Sequence, residues 1–135
     1  MGTRSLTHIK NQSGQTLVTL YRQYDGYPDG HGQELADFLK GKTIVNGFSG
    51  EDKTRGNFNG MECLAASVIA FFKEGIGGFY LQPPDSKDFG EDYTYTIYQA
   101  DNRPAIKIEC GMIGAGEVIF DGLADNFSKE TCEEA

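Results

Sequence analysis

Met61-Glu62-Cys63-Leu64-Ala65-Ala66-Ser67-Val68-Ile69-Ala70-Phe71-Phe72-Lys73 carries the plainest period in the chain. Met61, Leu64, Ala65, Val68, Ile69 and Phe72 recur at i, i+3, i+4, i+7, i+8 and i+11, which is one face of an α-helix. Asn59 stands where an N-cap belongs, and Gly75 stands where the helix is expected to stop. A helix with a single apolar stripe must bury that stripe against a neighbour, and the flanking sequence supplies strands to receive it.

Upstream of this helix lies a polar, Gly-rich stretch, Asn46–Asn57. Before it, Leu35, Phe38 and Leu39 mark a shorter helix with Gly41 placed to cap its end. The chain opens with two β-branched runs, Arg4–Lys10 and Thr16–Gln23, separated by Asn11-Gln12-Ser13-Gly14, the signature of a hairpin. Downstream, Gly78–Leu81 reads as a short strand ended by Pro83-Pro84, and a polar loop, Asp85–Glu91, follows it. Tyr93–Gln99 alternates Tyr93, Tyr95 and Ile97 with Thr94, Thr96 and Tyr98. Asp101-Asn102-Arg103-Pro104 reads as a turn, leading into Ala105–Cys110 and a last strand, Glu117–Phe120. The order strand, strand, helix, helix, strand, strand, strand predicts an α+β fold: one mainly antiparallel sheet with two helices packed on one face. Alternating βαβ units are absent, which argues against a doubly wound fold. Residues 1–123 form the expected single domain, and an acidic tail from Ala124 to Ala135 is expected to fray.

The chain of 135 residues suits one domain, and its 9 Phe and 7 Tyr supply a large buried area. No run approaches the roughly 20 apolar residues of a membrane span, and the opening MGTRSLTHIK lacks the apolar core of a secretory signal. Cys63, Cys110 and Cys132 are widely spaced with no CxxC pair, which reads as reduced thiols in a cytosol. Twelve basic residues against 20 acidic ones give a net charge of −8, a poor match for long nucleic acids. That acidity serves solubility, or it mimics a polyanion for a basic partner. A small anionic ligand would need a local island of arginine.

Enzyme chemistry finds little material. His8 reads as a sheet-surface residue. His31, between Gly30 and Gly32 and near Asp25 and Asp29, is a possible general base, but no nucleophile lies in a recognisable frame around it. No zinc-type spacing occurs, so no metal or cofactor is expected. Gly111–Gly116 lacks the GxGxxG spacing, and Gly41-Lys42 has no Walker frame before it. A small hydrolase built on His31 therefore ranks low.

Binding is better provided for. The loop Tyr24–Gly32 is rich in glycine and ends at a helix N-terminus, where backbone N–H groups favour an anion. Arg22 precedes it with a forked donor suited to phosphate, unless it only pairs with a surface carboxylate. Tyr24 opens the loop and is grouped with the ligand contacts. Arg103, at the expected turn tip, reaches over an edge or to a neighbouring subunit, or is simply solvated. Arg55 precedes the long helix and is a third candidate. Phe79 and Tyr80 alternate faces, so one of them is expected to offer a ring on which a base could stack.

The wording of several blocks is also distinctive: Tyr21-Arg22-Gln23-Tyr24-Asp25-Gly26-Tyr27-Pro28-Asp29-Gly30-His31-Gly32, Val45-Asn46-Gly47, Phe58-Asn59-Gly60-Met61 and Tyr93-Thr94-Tyr95-Thr96-Ile97-Tyr98. Over roughly residues 3–122 they resemble blocks of small phage and prophage proteins, a group similar to the type-one Thoeris anti-defence proteins. The resemblance implies a non-enzymatic sponge in the cytoplasm of an infected bacterium. It would sequester a cyclic ADP-ribose isomer or cyclic trinucleotides without cleaving them. It implies a homo-oligomer of dimers in which Arg22 and Arg103 grip phosphates, Phe79 stacks on adenine and Arg55 partners Phe79. An acidic inhibitor or DNA mimic of a host protein is the alternative from another class.

Overall fold

A computed structural model describes residues 2–45, 57–87, 90–111 and 116–127. Arg55, Cys132 and the acidic end from 128 to 135 lie outside the described residues.

The hairpin forms as its sequence requires. β1 (Ser5–Lys10) pairs antiparallel with β2 (Thr16–Arg22). Asn11 Oδ1 accepts the N–H groups of Ser13 and Gln15, and Gly14 takes a φ of +88° that a side chain would resist. A π-helical turn, Pro28–Gly32, runs into α1 (Gln33–Leu39), which ends at Gly41 with φ +74°. β3 (Thr43–Val45) and β4 (Asn57–Asn59) form a small parallel pair that the sequence pattern did not announce. α2 (Gly60–Phe72) follows. Asn59 occupies its N-cap position, but its side chain makes no capping hydrogen bond.

β5 (Phe79–Gln82), β6 (Tyr93–Ala100), β7 (Arg103–Cys110) and β8 (Glu117–Leu123) complete the sheet. Among the described residues its six strands run β5-β2-β1-β6-β7-β8, antiparallel except for the central β1–β6 pair. The fold is α+β, a mostly antiparallel sheet with two helices, as expected. The turn between β6 and β7 is shorter than expected: Arg103 and Pro104 already pair with Ala100 and Gln99, leaving Asp101 and Asn102 to reverse the chain.

Side chains of Ile9, Leu20, Tyr95, Ile97, Ile106 and Ile108 face Leu35, Leu39, Leu64, Val68 and Phe72 of the helices in one core. The opposite face of the sheet is also covered in its middle. β5 and β6 lie on either side of β2 and β1, so the chain between them must cross that pair. Asp85, in this crossing segment, accepts a hydrogen bond from Thr16 and donates its backbone N–H to Thr19 Oγ1. Beneath it His8, expected at the surface, is fully buried, together with Thr94 and Glu109. Strand order overrides the bland reading of His8.

The boundary expected at residue 123 also moves. A 3-10 turn, Ala124–Asn126, follows β8, and Ala124 and Phe127 are both core residues. Phe127 packs edge-on to Phe120, with centroids 5.0 Å apart. Phe127→Ala is therefore expected to lower unfolding stability by about 3–5 kcal/mol. Urea denaturation checks this, and an unchanged midpoint would mean that this end frays as first expected.

Candidate functional site

The last residue of β2 is an arginine that the fold takes inside. The Arg22 side chain is 10% exposed. A charge removed from water needs its donors matched, and three elements supply partners. Nε donates to the Tyr24 carbonyl at 2.8 Å in the following loop. Nη1 lies 2.7 Å from Glu34 Oε1, which the first turn of α1 provides. Nη1 also lies 3.0 Å from His31 Nδ1 on the π-helical turn. The guanidinium carbon sits 4.9 Å from the centre of the Phe79 ring on β5 and 5.8 Å from that of Phe72 near the end of α2, within cation–π range.

The chemistry fixes the histidine tautomer. Arginine only donates, so His31 Nδ1 accepts and Nε2 carries the proton. Nε2–H then donates to Thr7 Oγ1 at 2.8 Å on β1. The ring is 1% exposed and packs against Tyr95 (4.8 Å, edge-on) and Phe72 (4.9 Å). Burial first, and the Arg22 charge second, lower its pKa to about 3. His31 is thus a neutral relay between strand and arginine, with both ring nitrogens engaged and no route to solvent.

The glycine loop does not present the anion cradle expected of it. Gly26 N–H donates to Thr3 O, Gly30 N–H to Tyr27 O and His31 N–H to Asp25 O. Tyr95 Oη donates to the Gly26 carbonyl at 2.7 Å. The loop is knitted to the sheet and to itself, and its helix begins with Pro28, which has no N–H to offer. Its function here is to set His31 and Glu34 against Arg22.

A recess of about 250 Å³ is walled by Arg22, Glu34, Phe71, Phe72, Glu74 and Phe79. Arg22 Nη2 has no hydrogen-bond partner among the described residues. Two expected site residues, Arg22 and Phe79, therefore meet at one wall. Tyr24 contributes only its carbonyl; its half-exposed ring lies by Gly78, outside this recess. Arg55 lies outside the described residues. Arg103 is elsewhere: Arg22 is level with Ser5, Tyr93 and Cys110 across the sheet, while Arg103 stands at the other end of β7. The separation exceeds about 20 Å along the strand direction alone. Arg103 instead pairs with Asp125, whose other oxygen accepts the Gly41 N–H at 2.7 Å.

Sequence reasoning missed Glu34, Glu74 and the double use of Phe72, which serves the core and the recess wall together. Phe72 was visible as part of the helical stripe; nothing in the sequence marked Glu34 as the arginine's partner. Among the described residues no cluster of His, Cys, Asp and Glu could hold a metal ion, and no helix is long and apolar enough to cross a membrane. Compared with known family models, curated proteins and solved structures, the chain matches none.

The two histidines give a pH dependence with a definite sign. His31 in the unfolded chain titrates near 6.5 and in the folded chain near 3, and the His8 pKa is lowered too, chiefly by burial. Between those values the unfolded state binds more protons, so stability is complete above pH 6.5 and falls as the pH drops. For His31 the expected slope reaches about 1.4 kcal/mol per pH unit, and His8 adds to it in the same direction. Urea denaturation from pH 7.5 to 5.0, above the main carboxylate range, measures it. His31→Gln should flatten that slope; an unaltered slope would contradict the assigned state of His31.

Proposed function

We propose that the chain is a binding protein rather than a catalyst, and that it sequesters a small cyclic nucleotide signal at the Arg22–Phe79 recess. One observation carries this reading: a guanidinium lies 4.9 Å over an aromatic ring on the wall of an open recess. Such a pair offers a flat surface for a base and a forked donor for a phosphate. Glu34 now neutralises that donor. Its side chain is 49% exposed against 10% for Arg22, so it is the mobile member of the pair and the one that a phosphate would replace. Exchange of one anion for another keeps the buried arginine compensated throughout.

The recess is small for a whole cyclic nucleotide, since ligand sites usually measure about 300–1,000 Å³. A second copy of the chain would enlarge it. Phe71 on its rim, with Ile76 nearby in the chain, is exposed apolar surface that a partner would cover. If Arg103 also contacts the ligand, it comes from another subunit, because the sheet holds it far from Arg22. The hydrolase reading gains nothing from His31, whose nitrogens already serve Thr7 and Arg22.

A thermal-shift screen against cyclic nucleotides and ADP-ribose isomers tests this. A ligand that binds only the folded state raises the melting temperature. Phe79→Ala is expected to weaken binding by roughly 5- to 150-fold, in line with about 1–3 kcal/mol for one stacked base. Glu34→Gln, which removes the competing anion, is expected to tighten it. Heating the complex should release the nucleotide intact. A flat response across the panel, or recovery of a hydrolysed product, would sink the sponge reading.

A further inference from the structure

A second recess shares Phe72 and Phe79 with the first but has the opposite character. Helix α2 and edge strand β5 diverge to leave a cleft of about 380 Å³ walled by Leu20, Ile69, Phe72, Phe79, Tyr80 and Leu81. Its surface is almost wholly apolar. Among the described residues the one charged residue on it is Lys73, the residue that follows α2.

Lys73 is held in place. Nζ donates to the Gly77 carbonyl at 3.0 Å and to the Phe79 carbonyl at 2.8 Å, and it lies 5.6 Å over the Tyr80 ring. An ammonium has three donors, so one N–H is left for a further acceptor without either carbonyl being released. Immobilising a flexible lysine ordinarily opposes binding; here the fold has already done it. An apolar cavity with a single convergent, pre-positioned polar group is the usual design of a small-molecule site.

From this we infer that the cleft between α2 and β5 is a binding site for a small apolar monocarboxylate, its hydrocarbon body among Ile69, Phe72 and Leu81 and its carboxylate on Lys73. The charge fixes the sign of the headgroup: an amine would meet the ammonium with nothing acidic on the cleft wall to offset it. The strand edge argues for a small molecule over an added peptide strand. The Gln23 N–H to Gly78 O bond sets the alternation, so the backbone groups of Phe79 and Leu81 face away from β2. Of these, the Phe79 N–H already donates to Gly77 O and the Phe79 carbonyl already accepts from Lys73. Only the Leu81 pair is left for a ladder, too little to seat a strand. This site is independent of the nucleotide reading, and neither requires the other.

Octanoate and its neutral isostere octanamide are the probes, titrated by calorimetry into the full chain. Octanoate is expected to bind once per chain and to raise the melting temperature, with octanamide at least tenfold weaker. Lys73→Met, at an exposed position, should fold normally, bind octanoate about tenfold more weakly and lose the preference for acid over amide. Leu81→Asp, also exposed, places a carboxylate in the cleft and should abolish octanoate binding. No binding of octanoate, equal binding of acid and amide by the natural chain, or a preference that survives Lys73→Met would each overturn the assignment.

Discussion

Two strands at the centre of the sheet run the same way. β1 lies parallel to β6, with Ser5 level with Tyr93 and Ile9 level with Ile97, while every other neighbour in the sheet is antiparallel. A parallel neighbour cannot be reached by a tight turn, so the chain returns to β1 only after both helices and β5. Much of the molecule follows from that. β5 is pushed out to the far edge beyond β2, and its continuation must cross two strands to reach β6. The crossing puts Asp85 over Thr16 and Thr19 and seals His8 against the sheet. The edge position of β5 leaves Phe79, Tyr80 and Leu81 beside the end of α2 with a cleft between them. Both candidate sites therefore lie at the edge that the parallel pair creates.

Within that frame the Arg22 network is a matter of electrostatics under low hydration. A guanidinium cannot shed its proton to escape burial, so the surroundings must adapt to it. They do so in two ways. Glu34 supplies charge from a half-exposed position, where its own desolvation is modest. His31 supplies a neutral acceptor and is kept neutral by the same burial and by the arginine itself. The second arrangement reinforces itself: a protonated His31 would lose its bond to Arg22 and add a second positive charge to the core. Acid thus acts on the hub that joins β1, β2, the π-helical turn and α2, rather than on a peripheral loop.

The fold was legible in the sequence where one period dominated. The stripe from Met61 to Phe72, the Asn11–Gly14 hairpin turn and the alternation in Tyr93–Gln99 each carry a local cause that tertiary context had no reason to override. What stayed hidden depended on strand order. His8 alternates like a surface residue, and only the parallel pairing reveals the crossing segment above it. Phe127 sits in an acidic tail whose composition suggests fraying, yet one aromatic ring is enough to bring the chain back to the core. For the site, residue type singled out Arg22 and Phe79 separately, with other partners expected for each, and only the pairing of β2 with β5 sets them opposite one another. The glycine loop misled for the converse reason. Gly and Pro signal a turn, but they do not say whether its N–H groups face solvent or, as here, other carbonyls.

The two recesses share walls but differ in chemistry. Phe72 and Phe79 present rings to a polar space on the Arg22 side and to an apolar space on the Lys73 side. Each cation is anchored by backbone carbonyls, Arg22 by that of Tyr24 and Lys73 by those of Gly77 and Phe79. Anchoring differs in its consequence. Arg22 is already matched by a carboxylate at Nη1, so an anion that replaced Glu34 would bind with an affinity that is a difference between two anions. Lys73 has no carboxylate partner among the described residues, so an anion there meets a charge balanced only by carbonyl dipoles and water. A net charge of −8 opposes any anion at long range, but that field is screened within about 10 Å at ordinary ionic strength. Any selectivity between the two recesses would rest on this local difference, a carboxylate beside Arg22 and, among the described residues, none beside Lys73.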